Sequence, residues 1–134
     1  MFLEGKKLYA KEGYCITCHQ PDGKGLMASG FPPLKSSTWV TGSEDRLIKL
    51  VLKGLMGPIE VNGVKYPGQV PMTPFEGLMN DREIAAVLTY VRNSFGNKAN
   101  AINPNKVKAV RASVANKKNL YDANQLLKEH PLEK

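Results

Sequence analysis

An all-α fold is what this sequence predicts, a single helical domain followed by a short helical extension, and three observations carry that expectation. Two segments, one after Ser43 and one after Asn80, place apolar residues at helical spacing between recognisable start and stop residues. The long stretch between residues 20 and 38 carries turn residues instead of the alternation of a half-buried strand. The length of 134 residues fits one domain with a modest core and something appended to it.

Taken in order, the first helix is expected over residues 3–11. Gly5, Leu8, Tyr9 and Glu12 share one of its faces. A glycine turned inward lowers helix propensity, and the usual compensation is close approach of another helix. Residues 20–38 then hold Pro21-Asp22-Gly23, Gly25, Gly30 and Pro32-Pro33. A loop of that length without structure of its own is uncommon unless it wraps around something.

The second helix has Ser43 as N-cap, Glu44 and Asp45 at its positive end, and Gly54 as the residue that stops it. Leu47, Ile48, Val51, Leu52 and Leu55 supply its apolar face. Another loop, residues 56–79, contains four prolines and a tight-turn pair, Asn62-Gly63. The third helix has a capping box in Asn80 and Glu83. Ile84, Val87, Leu88, Val91 and Phe95 form its apolar stripe, and Gly96 is expected to close it.

From Asn97 onward the composition shifts to Asn, Lys and Ala, so residues 1–96 form the expected domain and 97–134 a basic extension. Pro104 suits a first helical turn, Val107, Val110 and Val114 make a narrow stripe, and Asp122 with Gln125 forms a second capping pattern. Capped amphipathic segments favour two short helices docked on the domain over a disordered linker.

Hydrophobic residues are 42% and charged residues 23% of the chain, the balance of a globular protein. The longest apolar runs, such as residues 47–52, are short and broken by lysine, far from the roughly 20 residues that cross a bilayer. The N-terminus has no signal-peptide pattern, so the expectation is a mature chain or a domain cut from a longer one. Net charge is +7, of which residues 1–96 contribute +2 and residues 97–134 contribute +5. This surplus favours an acidic partner or surface. Aromatic residues do not interleave with the basic ones, which disfavours nucleic-acid binding.

The chemistry lies in Cys15-Ile16-Thr17-Cys18-His19. C-x-x-C-H is the attachment signature of c-type haem, and chance alone would produce it in a chain of this length on the order of one time in a thousand. Two thiols three residues apart each form a thioether to one porphyrin, and the histidine that follows is held beneath the iron. A structural zinc site wants four ligands, and His130 is the one further His or Cys in the chain. A thioredoxin-type pair expects a strand ahead of the motif. A plain disulfide leaves His19 unexplained. Attachment of haem to cysteines takes place outside the cytoplasm, so a periplasmic or otherwise extracytoplasmic location is expected.

Methionine is the sixth ligand that raises the potential into the range of electron carriers. Met1 is terminal, Met27 sits too close to the motif, and Met56 and Met79 adjoin helix ends, where methionine usually fills core. Met72 lies between Pro71 and Pro74 in a stiff loop that suits holding a weak thioether in place.

With these residues in view, residues 5–96 resemble a class I cytochrome c. Gly5 and Tyr9 ahead of the haem motif match that family's N-terminal helix, Pro32-Pro33-Leu34 its proline segment, Met72 its distal loop, and Leu88-Thr89-Tyr90-Val91-Arg92 its C-terminal helix. The resemblance implies three or more helices around one covalent haem c. It implies that Gly5 and Tyr90 lie where the first and last helices cross, and that the Pro32 carbonyl accepts a hydrogen bond from His19. It also implies that Trp39 and Tyr66 contact the haem propionates, with plain core packing the competing role for Trp39.

Val61-Asn62-Gly63, Tyr66-Pro67-Gly68 and Phe75-Glu76-Gly77-Leu78 look like cytochrome c modules of larger bacterial redox proteins, including those fused to quinoprotein-type dehydrogenases and copper nitrite reductases. The tail from Ile102 to Arg111 resembles segments that follow such modules. Glu76 departs from the small residue expected there and puts a charge near the methionine loop. The implied function is single-electron transfer between redox partner proteins by a non-enzymatic domain. The basic tail either docks an acidic partner or fills a groove on its own domain.

Overall fold

The computed structural model describes residues 2–11, 15–26, 31–67 and 71–131. Met1, Glu12, Met27, Gly30 and Gly68, named above, lie outside them. The described elements are α1 (Phe2–Tyr9), α2 (Cys15–His19), α3 (Thr38–Thr41), α4 (Glu44–Lys53), β1 (Ile59–Val61), β2 (Val64–Tyr66), α5 (Asp81–Arg92), α6 (Pro104–Ser113) and α7 (Ala123–Glu129).

The crossing of α1 and α5 organises the fold. Gly5 is buried against α5, where a Cβ would overlap the Ala86 carbonyl and come within 2.8 Å of the Tyr90 Cβ. Aromatic rings fill the space around that contact. Tyr90 lies 5.1 Å from Phe2 and 5.4 Å from Tyr9, and Tyr9 lies 5.4 Å from Phe95. Tilted pairs at such separations contribute beyond their area burial.

Caps explain where the longer helices begin. The Ser43 side chain accepts the Arg46 N–H, and Asn80 and Glu83 bond reciprocally to each other's backbone N–H groups. Replacing Asn80 with alanine removes one half of that box and is expected to lower the unfolding free energy by about 1 kcal/mol, measured by urea titration.

The end of α5 differs from expectation. The helix stops at Arg92 instead of running to Gly96, because the Asn93 N–H turns back to the Tyr90 carbonyl and its side-chain amide donates to the Thr89 carbonyl. Phe95 therefore leaves the helix, at φ +57°, and packs on Tyr9 and Tyr90.

Four of these elements were not foreseen: the short helix α2, α3 and the strands β1 and β2. Ser37 caps the four-residue α3 by accepting the Trp39 N–H at 3.2 Å. β1 and β2 form an antiparallel hairpin with Val61 opposite Val64, joined by Asn62 and Gly63, both at positive φ. That is the geometry an Asn-Gly pair favours, but three-residue strands are too short to show alternation.

The extension folds back on the domain. Asn103 caps α6 with Pro104 in its first turn, and Asp122 caps α7 by accepting the Gln125 N–H at 2.7 Å. The Gln125 side chain does not close a box but accepts from Lys117 at 3.2 Å. Ile102, Val107 and Leu126 are fully buried, in the same hydrophobic core as α4 and α5.

Candidate haem site

The turn of helix α2 presents Cys15, Cys18 and His19 from one backbone segment, and the two cysteines are not joined in a disulfide. His19 is 8% exposed, and its Nδ1 stands 2.8 Å from the Pro32 carbonyl oxygen. The loop that carries Pro32 is held in place by paired bonds between Leu26 and Phe31, both 2.9 Å, and by the Leu34 N–H donating to the Gly23 carbonyl. A carbonyl at that distance requires Nδ1 to carry the proton, which leaves the lone pair on Nε2 for a metal.

Burial pulls the His19 pKa below its ordinary value, with the Pro32 carbonyl acting in the opposite direction. Burial also pushes the Cys15 thiol up to about 11 and raises Cys18. Thiolates are disfavoured here, whereas an uncharged thioether carries no such desolvation penalty.

Cys15, His19 and Pro32 line an apolar cavity of about 80 Å³ together with Trp39 and Met72. Side chains of α4 and α5, among them Leu47, Val51, Val87 and Leu88, complete the wall.

Of the other methionines described, Met79 is buried core and Met56 is exposed, and neither lines the cavity. Met72 sits in an extended segment whose N–H donates to the Leu55 carbonyl at 2.8 Å, while Leu55 returns a bond at 3.3 Å. Gly54, at φ +78°, permits this: a Cβ there would lie 2.6 Å from the Met72 carbonyl oxygen.

The remaining sequence candidates are placed differently. The Trp39 ring faces the cavity, but its indole N–H donates to the Glu60 carbonyl at 3.0 Å and the Arg46 guanidinium lies over the ring at 5.2 Å. Its donor is thus directed at β1. Tyr66 is buried opposite Ile59 and is not among the residues that line the cavity. His130 ends α7 and is also outside the lining. Among the described residues no cluster of three or more His, Cys, Asp or Glu side chains has the arrangement of a metal site.

Sequence reading missed Ser37, which is 1% exposed and the polar member of the wall. It also missed Asn97, whose amide donates to the Leu34 and Val91 carbonyls and whose oxygen accepts the Ser36 N–H. A serine before a tryptophan and an asparagine in an Asn-rich tail carry no distinctive signal.

Two thiols, a histidine with Nε2 free to ligate and an apolar lining around them fit the chemistry of a covalent haem. The family model for cytochrome c matches residues 2–95. The chain belongs to the cytochrome c family. It therefore carries one covalent haem c and is an electron-transfer domain.

Cytochrome c-552 of Thermus thermophilus is 40% identical over 97 residues, covering 69% of this chain and 69% of that protein. The cytochrome c subunit of a quinone alcohol dehydrogenase from Gluconacetobacter polyoxogenes is 34% identical over 98 residues, 72% of this chain but 20% of that subunit. The cytochrome c subunit of gluconate 2-dehydrogenase from Pantoea cypripedii is 34% identical over 92 residues, 65% of this chain and 19% of that subunit. The chain thus spans about a fifth of these two dehydrogenase subunits. Among the described residues no helix is long and apolar enough to cross a membrane.

Proposed function

We propose that this cytochrome c domain passes single electrons between redox proteins outside the cytoplasm, with His19 and Met72 as the residues that would ligate its iron. The observation that carries the reading is that His19 and Met72 line the same apolar cavity, each anchored through a backbone partner. When bound, the haem supplies the one-electron couple. The chain's residues do the rest. Pro32 holds the His19 ring in one tautomer and orientation, Leu55 holds the Met72 backbone, and the apolar wall keeps water from the cavity. Ligands fixed in this way stay in place in both oxidation states, so little rearrangement accompanies transfer.

The chemistry of the partner follows from charge. A chain with net charge +7 is steered toward an acidic face on a redox protein. Reduction by such a partner is expected to slow as ionic strength rises from about 10 mM to 200 mM, because the Debye length falls from about 30 Å toward 8 Å. A rate independent of salt would point to a fixed neighbour in an assembly.

Optical spectra of the haem-loaded protein test the ligand set. The parent is expected to give a low-spin spectrum with a methionine–iron charge-transfer band and to ignore carbon monoxide. Met72→Ala is expected to lose that band, bind carbon monoxide in the ferrous form and shift to a lower potential. Carbon monoxide binding by the parent would instead indicate an open distal position and a catalyst or gas sensor.

A further inference from the structure

The backbone around Leu55 is bonded on two sides. On one side lies Met72, through the pair of bonds described above. On the other lies Tyr121 of the extension, whose N–H donates to the Gly54 carbonyl at 3.2 Å and whose carbonyl accepts the Met56 N–H at 2.8 Å. Leu55 is therefore bridged antiparallel to Met72 and parallel to Tyr121. An extended segment with one free edge has backbone groups that compete for water and other partners, whereas one paired on both sides is fixed.

Two further links join the extension to the loop that follows Met72, one direct through Arg111 and one bridged by Lys53 of α4. Arg111 on α6 donates to the Glu76 carbonyl at 2.7 Å, the Met79 carbonyl at 2.9 Å and the Asp81 carboxylate at 2.8 Å. Lys53, only 6% exposed, lies 2.6 Å from the Glu76 carboxylate and donates to the Lys117 carbonyl at 3.0 Å. Glu76, the departure noted in the sequence, is thereby tied to α4 by its side chain and to α6 by its backbone. The Tyr121 position is itself secured: its ring is buried under Lys117, and its hydroxyl donates to Glu129, which pairs with Lys49.

We propose that the C-terminal extension positions Met72, with Tyr121 and Arg111 as its positioning residues, so that the hold on the distal ligand depends on the extension being docked. This inference rests on Met72 being the sixth ligand. Helix α4 also bonds the loop, through the Phe75 and Glu76 N–H groups to the Val51 and Leu52 carbonyls. The extension acts on the parts α4 does not reach, the Leu55 edge and the Glu76 and Met79 carbonyls.

The test uses the haem-loaded full chain carrying Arg111→Ala, with Lys53→Met as a second variant whose apolar stem keeps its packing. Tyr9→Phe serves as a control; it removes a hydroxyl bond to the Gln20 carbonyl on the histidine side of the site. Three quantities are read: carbon monoxide association to the ferrous protein, exchange of the Met72 amide proton relative to amides of α5, and the global urea midpoint.

Arg111→Ala is expected to speed carbon monoxide association and Met72 amide exchange by about tenfold. Lys53→Met should move both in the same direction. Tyr9→Phe should lower the midpoint and leave both at the parental level. Unchanged rates in the two loop variants, or equal changes in Tyr9→Phe, would overturn the proposal. If the parent binds carbon monoxide as readily as Met72→Ala, the ligand assignment itself fails, and Met72 amide exchange then decides whether the extension still fixes this loop.

Discussion

Gly5→Ala is expected to destabilise the haem-loaded protein by about 3 kcal/mol, although alanine is the better helix former by about 1 kcal/mol. The methyl group would overlap the Ala86 carbonyl, a backbone atom that cannot swing aside, and crowd the Tyr90 Cβ. Relief requires α1 and α5 to move apart. That separates the Phe2–Tyr90 and Tyr9–Tyr90 ring pairs and opens the space beside Phe95. Overpacking costs roughly 1–3 kcal/mol, and each aromatic pair about 0.5–1.5 kcal/mol more. Urea unfolding followed by far-ultraviolet circular dichroism reads the result. A midpoint at or above the parent's would mean that the helix contact is looser than described here.

That glycine was legible in the sequence because it breaks a local rule: an inward glycine in an apolar helix face has no reason but close packing. The haem motif was legible for a similar cause, since the chemistry demands fixed residue types at fixed offsets. What stayed hidden was structure made by pairing distant segments. Leu55, Met72 and Tyr121 lie in loops or tail, and nothing local in any of them marks a shared ladder.

Buried cations were equally hard to read. Arg46 follows two acidic residues on an amphipathic helix and looks like part of its solvated face. It is instead fully buried, donating to the Thr38, His130 and Pro131 carbonyls. Arg92, near the end of α5, similarly reaches the Val40, Gly42 and Asn100 carbonyls. Guanidinium groups suit this task because five donors in a planar fork satisfy several carbonyls at once. Their partners come from loops whose path no local pattern reveals.

These arginines decide what removal of the extension should do. Ending the chain after Lys98, which keeps the Asn97 bonds, is expected to lower stability by more than about 5 kcal/mol, a loss comparable with the whole stability of a small domain. Ile102, Val107, Tyr121 and Leu126 leave the core and expose the faces of α4 and α5 beneath them, each side chain worth roughly 1.5–3 kcal/mol. Freed chain entropy offsets part of this. The polar losses add to it, because Arg46 loses the His130 and Pro131 carbonyls, Lys53 loses the Lys117 carbonyl and Arg92 loses the Asn100 carbonyl. A buried cation deprived of its partners is more costly than the same position without one. Thermal and urea unfolding of the truncated chain, alongside its rate of reduction by an acidic redox partner, separates the two roles open to a basic tail. A large loss of stability identifies the extension as part of the fold. Unchanged stability with slower partner reduction would make it a docking element instead, and its lysines, Lys108, Lys118 and Lys128 among the exposed ones, would become the residues to change next.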